Sequence, residues 1–192
     1  MPRSKTYQDD VVLERAMNVF WVHGYEGTSV RLLEKEMRIN QFSIYSSFND
    51  KRNLFIKSLQ QYREYVAQNV YQDLLKETAG FSELKNFLQN AIQRKNKKDA
   101  PIGCLVVNTA AEFGENDEEI AREINHYYDF IRDMLKRVLQ NAIVKKEIPV
   151  DTKVEKQANF FLGVMQSISI TSKTMVKSQL KDFISVALSQ IK

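Results

Sequence analysis

The sequence predicts an all-α protein of about nine helices, three short ones forming a head and longer ones forming a body. Three observations carry this. Apolar residues recur at helical spacing along nearly all of the 192-residue chain. Six Gly and three Pro are few enough breakers to permit long helices. No internal repeat and no pair of alternating, strand-like segments is present.

The elements follow in order. Val12, Ala16, Val19 and Phe20 form one stripe of a first helix, which stops near Gly24, a residue suited to the left-handed position after a helix. Thr28 or Ser29 caps a second helix with Val30, Leu33 and Met37 on its inner face. Asn40 caps a short third helix that reaches Phe48. Asn49 or Asp50 caps a long fourth helix burying Leu54, Phe55, Leu59, Tyr62, Val66, Val70 and Leu74. Gly80 breaks the pattern, and Ser82 caps a fifth helix carrying Leu84, Phe87, Leu88 and Ala91. The run RKNKKDAP reads as a basic, solvated linker. A sixth helix, GCLVVNTAAEF, is apolar almost all round and is expected to be buried. Asn116 and Glu119 form a capping box for a seventh, ending near Ile143. Pro149 and Asp151 separate it from an eighth, which runs to about Lys173, and Ser178 opens a ninth.

Composition narrows the function. Hydrophobic residues at 43% and charged residues at 27% describe a globular chain. The single cysteine permits no internal disulfide and suits a reducing compartment. The start, MPRSKTYQDD, has no apolar stretch of the signal-peptide kind, and no run of about 18 apolar residues spans a membrane. A cytoplasmic protein without membrane contact is expected. No Gly-rich phosphate loop, nucleophile elbow or metal-ligand spacing is found, and His23 and His126 lie far apart. No metal, no cofactor and no catalytic group is therefore expected. The net charge of +4 allows a polyanionic partner. In the first 55 residues eight basic side chains face seven acidic ones, so any nucleic-acid contact must come from placement of charge.

The segment INQFSIYSSF, residues 39–48, is half anchor and half polar display. A turn of about three residues separates it from the second helix, which is helix-turn-helix geometry. Ile39, Ile44 and Phe48 fit an inward face, leaving Gln41, Phe42, Ser43, Ser46 and Ser47 outward. A Gln amide pairs with adenine, apolar groups contact thymine methyls, and the Tyr45 hydroxyl suits a phosphate oxygen.

The stretch AMNVFWVHGYEGTSVRLLEKEMRINQFSIYSSFNDKRNLF resembles the DNA-binding domain of the TetR family, through the spacing of G-Y-x-x-T-S, Y-x-x-F and K-x-x-L. The resemblance implies phosphate contacts from Thr28, Tyr45 and Lys51, and base readout by Gln41, Phe42 and Ser46. It also implies a DNA-binding domain over residues 1–50 and an effector-binding, dimerising domain over 51–192. Three residues depart from the family pattern. Arg38 stands where Gly is frequent, at a cost of about 1 kcal/mol if its φ is positive, or as a phosphate contact. Phe42 is bulky where small residues are frequent, and Arg52 replaces an acidic residue, adding positive charge beside the phosphate site.

In the body, the last two helices are apolar over wide arcs and must bury more than one face. The resemblance implies a homodimer through Phe160, Val164 and Ile168 of one helix and Phe183, Ile184, Ala187, Leu188 and Ile191 of the other. GCLVVN followed by DEEIA resembles the middle of a large TetR subgroup. Cys104, Asn108 and Glu112 share a helix face and either pair internally or meet a ligand. Tyr127, Tyr128, Phe161 and Met165 are candidates for the wall of an apolar pocket. The expected function is a ligand-responsive transcriptional regulator, most simply a repressor. It binds a pseudo-palindromic double-stranded DNA site as a homodimer and is released by a small molecule. The alternatives are thiol-based sensing through Cys104, at a helix N-terminus that favours thiolate, a helical protein-binding adaptor, and an enzyme using Cys104 with His126.

Overall fold

The computed structural model describes residues 9–94 and 103–191. Most of the basic linker, and the start of the chain, lie outside the described residues. Ten helices are present among the described residues: α1 (Asp9–His23), α2 (Val30–Met37), α3 (Gln41–Phe48), α4 (Lys51–Asn69), α5 (Gln72–Leu75), α6 (Phe81–Arg94), α7 (Leu105–Phe113), α8 (Glu118–Val144), α9 (Val154–Thr171) and α10 (Lys177–Leu188).

Local capping chemistry sets many of the boundaries. Ser29 accepts the Leu32 N–H, Asn40 the Ser43 N–H and Asp50 the Asn53 N–H. Asp117, not Asn116, caps α8, accepting from Glu119 and Ile120 (both 3.1 Å). Ser82 does not cap α6. Glu147, from the turn after α8, accepts from the Phe81 N–H (2.6 Å) and the Ser82 hydroxyl (3.0 Å). Ser178 lies inside α10, where Gln179 accepts the Val176 N–H (3.2 Å).

The long fourth helix predicted through Leu74 is two helices. The N–H groups of Val70 and Tyr71 both turn to the Val66 carbonyl (2.9 and 2.8 Å). The break turns Tyr71 inward, against Phe87 (5.4 Å) and Phe130 (6.4 Å). The Tyr71 ring is thereby buried, which favours the break.

In the head, α1 packs on α4 and α2, and α3 lies across α2 and α4. In the body, α8 packs against α4, α6, α7 and α9, and α10 closes over α6 and α9. One core runs through both, from Phe20, Leu33, Ile44 and Phe55 to Leu105, Leu135, Phe161 and Ile184. Helix α4 belongs to both parts. Its first turns bury Leu54 and Phe55 in the head, beyond the division at residue 50, and Phe113 of α7 meets Phe55 and Tyr25 ring to ring (5.8 and 5.2 Å).

Candidate nucleic-acid interface and body pocket

The head fixes α3 from several directions. Ile44 and Phe48 are buried. At the N-terminus, Asn40 Oδ1 accepts the Ser43 N–H (2.8 Å), and Glu34 Oε1 accepts the Gln41 N–H (2.5 Å). Arg38 ends α2 in the left-handed region at φ 58°, the strained geometry foreseen for a non-glycine residue. The Arg15 guanidinium donates to the Met37 carbonyl beside it (3.2 Å), satisfying a helix-end acceptor.

The display side of α3 carries Gln41, Phe42 and Ser46, all exposed, with Ser43, Tyr45 and Ser47 half-buried. The Tyr45 ring packs at the edge of the core, which braces it. Lys51 opens α4 with its ammonium 4.1 Å above the Tyr25 ring, a cation–π contact that positions the charge. Arg38 is exposed on the turn between α2 and α3.

Two residues depart from expectation. Thr28 is wholly buried, and its hydroxyl donates to the Gly24 carbonyl (2.6 Å), so its side chain is not presented to a phosphate. It closes the turn between α1 and α2 instead. Arg52 adds no free charge beside Lys51. Its guanidinium donates to both oxygens of Asp117 (2.7 Å each) and to Glu119 (2.9 Å), at the start of α8. These bonds raise the Arg52 pKa. Led by the Arg52 bonds, with the Ile120 and Glu119 N–H groups adding to them, they hold the Asp117 carboxyl down at about 2.

In the body, Cys104, Tyr127, Tyr128 and Met165 meet around a cavity of about 20 Å³, completed by Tyr71, Val107, Ile131, Leu162 and Gln166. That volume holds about one water. The Tyr71 and Tyr127 hydroxyls lie 3.1 Å apart, and the Cys104 thiol is 3.5 Å from the Tyr127 hydroxyl. Ser169 fixes the start of α7 by accepting the Cys104 N–H (2.8 Å). Burial, the largest cause, pushes the Tyr127 and Tyr62 phenols well above their ordinary value, and Tyr128 up to about 12. The Tyr127 and Tyr128 phenols are therefore uncharged at neutral pH. Tyr71 was missed because the helix was read straight through it.

The other three pocket candidates lie elsewhere. Asn108 accepts from the Lys173 ammonium (2.8 Å). Glu112 is exposed and accepts the N–H groups of Tyr25 (3.0 Å) and Glu26 (2.7 Å), so it holds the turn after α1. Phe161 is fully buried core, against Phe81 and Phe160. Helix α7 is thus less buried than its composition predicted: Ala111 and Glu112 are exposed.

Between α9 and α10 lies an apolar groove of about 460 Å³, walled by Phe160, Gly163, Val164, Phe183, Val186 and Ala187. Ile168 and Ile184 turn into the chain's own core, and Leu188 and Ile191 pack partly against it, so these four do not line the groove. Val186, which does, is 63% exposed. Among the described residues no group of three or more His, Cys, Asp or Glu side chains could hold a metal, and no helix is long and apolar enough to cross a membrane.

Comparison with known proteins agrees with this geometry. Residues 12–57 match the family described as "Bacterial regulatory proteins, tetR family", and residues 80–185 match "Tetracyclin repressor-like, C-terminal domain". The HTH-type transcriptional repressor ComR of Escherichia coli (strain K12) is 27% identical over 172 residues, covering 89% of this chain and 82% of its own. The biofilm operon icaADBC negative regulator IcaR of Staphylococcus aureus (strain Newman) is 24% identical over 144 residues, 70% of this chain and 77% of its own. A cysteine mutant of the TetR family regulator CifR, solved with 26 bp double-strand operator DNA, superposes with a TM-score of 0.85 at 25% identity. That match covers 99% of this chain and 100% of CifR. With a helix-turn-helix head and a matching C-terminal domain, and in a family of regulators rather than enzymes, the chain belongs to the TetR family of transcriptional regulators.

Proposed function

We propose that the protein is a cytoplasmic, ligand-responsive repressor that binds a pseudo-palindromic operator as a homodimer and leaves it when a small molecule enters the body. The observation that carries this is the seating of α3: Ile44 and Phe48 anchor it, so Gln41, Phe42 and Ser46 are presented outward beside Tyr45 and Lys51. Tyr45 and Lys51 serve as phosphate contacts, and Gln41, Phe42 and Ser46 read bases. ComR and IcaR are repressors by name, and CifR was solved on operator DNA, which supports the same role here.

The groove between α9 and α10 is the dimer face, with Phe160, Val164, Phe183 and Ala187 at its centre. Pairing there sets two heads on successive major grooves, about 34 to 36 Å apart or a multiple of it. The cavity around Cys104 and Tyr127 is the effector site. At about 20 Å³ it is smaller than any effector, so an effector must widen it. Only an effector that binds the widened state more tightly shifts the population away from DNA. A second reading makes Cys104 a thiol sensor, and it is favoured by the thiol lining this cavity.

Selection of bound duplexes from a random pool tests the proposal, with the Tyr45→Phe, Lys51→Ala double mutant as control. A two-fold symmetric site lost by the mutant is expected. Binding of a protein partner with little salt dependence, and no enriched DNA before or after refolding to strip ligand, would make the head an adaptor instead.

A further inference from the structure

We infer that Phe42 is a specificity-determining residue that reads thymine through its C5-methyl group, an inference that rests on the DNA-binding role proposed above. Phe42 is 82% exposed, in a helix whose other large apolar side chains, Ile44 and Phe48, are buried. At about 100° per residue, Phe42 and Ser46 lie opposite Ile44 and Phe48, so they point most directly away from the head. The backbone beneath is held by Asn40 and Glu34, which accept the Ser43 and Gln41 N–H groups, so the ring is offered from a fixed base. Arg31 and Arg38, on α2 and its turn, are exposed, while the exposed Lys35 pairs with Glu36 (3.1 Å).

A phenyl ring in water gains the free energy of burial when it meets an apolar group. In the major groove the edges of the bases are donors and acceptors, with one apolar feature, the thymine methyl. The neighbouring Gln41 amide suits adenine. An operator half-site with adenine and thymine where α3 enters is the expected result.

The test uses the full-length protein and the duplex selected above. Each thymine of a half-site is replaced singly by deoxyuridine, which removes only the methyl group. Affinities are measured by fluorescence anisotropy at fixed salt for wild type, Phe42→Ala and Phe42→Leu. For wild type, deoxyuridine at one or two positions should weaken binding by about threefold to fivefold per methyl, the worth of burying one such group. Phe42→Ala should bind the thymine duplex more weakly and be indifferent to deoxyuridine at those positions, with Phe42→Leu between. Because Phe42 is exposed, both variants should melt as wild type does, which circular dichroism checks. Tolerance of every deoxyuridine within twofold by wild type overturns the inference. So does equal sensitivity in wild type and Phe42→Ala. Those outcomes leave DNA binding intact, whereas failure to bind any duplex overturns the underlying function as well.

Discussion

The Arg52 guanidinium grips the Asp117 carboxylate through two parallel bonds, Nε to Oδ2 and Nη2 to Oδ1, each 2.7 Å long. The same carboxylate caps α8 by accepting from Ile120 and Glu119. One acid therefore ties the start of α4, beside the Lys51 cation, to the start of the long body helix. The planar fork of Arg suits this geometry, and Lys cannot reproduce it.

Arg52→Lys and Arg52→Ala should each loosen this tie. The pair is partly exposed, with 38% of the Arg52 side chain accessible, so solvent screening limits the loss to about 1 kcal/mol. Urea unfolding of Arg52→Ala, Asp117→Asn and the double mutant measures it. The double mutant should fall short of the sum of the single losses by most of that amount.

The pH dependence has a defined sign. Asp117 is held at about 2 in the folded chain, below its ordinary value near 3.8. Its contribution is fully present above that ordinary value and is lost as pH falls through about 2. The stability gap between wild type and Arg52→Ala should be constant above about pH 5 and close towards pH 2. A gap that widens on acidification would contradict the pairing.

Glu112 supplies a second tie between body and head. Glu112→Ala leaves the Tyr25 and Glu26 N–H groups to water, at a cost of about 1 kcal/mol for an exposed site. Native-state hydrogen exchange should speed up at these two amides and change little in α3. If Glu112 instead bound effector, its removal would leave both amides protected.

Phe161→Ala separates core from pocket. As core, the residue should cost about 3 to 5 kcal/mol when truncated, lowering Tm by many degrees. Tyr128→Phe, at the cavity wall, should leave Tm nearly unchanged and, at the effector site proposed above, alter the response to ligand.

Lys51→Ala should lower the slope of log K against log salt by about 1 per subunit and weaken binding equally across sequences, as expected of a phosphate contact. A change confined to one operator base would make Lys51 a base reader.

Much of the head was legible because its signals are local. Asn40 and the Ser29 and Asp50 alternatives are caps, and a cap acts over three residues. The inward set Ile44 and Phe48 follows from helical period alone. Thr28 was misread because its partner, the Gly24 carbonyl, becomes available only once α1 ends in that particular turn.

The body was legible in outline and not in register. Cys104 and Glu112 do fall near one face of α7, but eight residues span about 12 Å of helix. One end therefore reaches the Tyr127 hydroxyl, and the other the turn after α1. By itself the sequence determined that the chain is helical, where most helices begin, and that a helix-turn-helix head displays α3. Only the tertiary structure decided that α4 breaks to bury Tyr71, that Arg52 serves α8, and which faces of α9 and α10 stay open. Helical period and capping are set by neighbours along the chain. These other outcomes are set by burial and charge pairing between residues tens of positions apart, which no local pattern records.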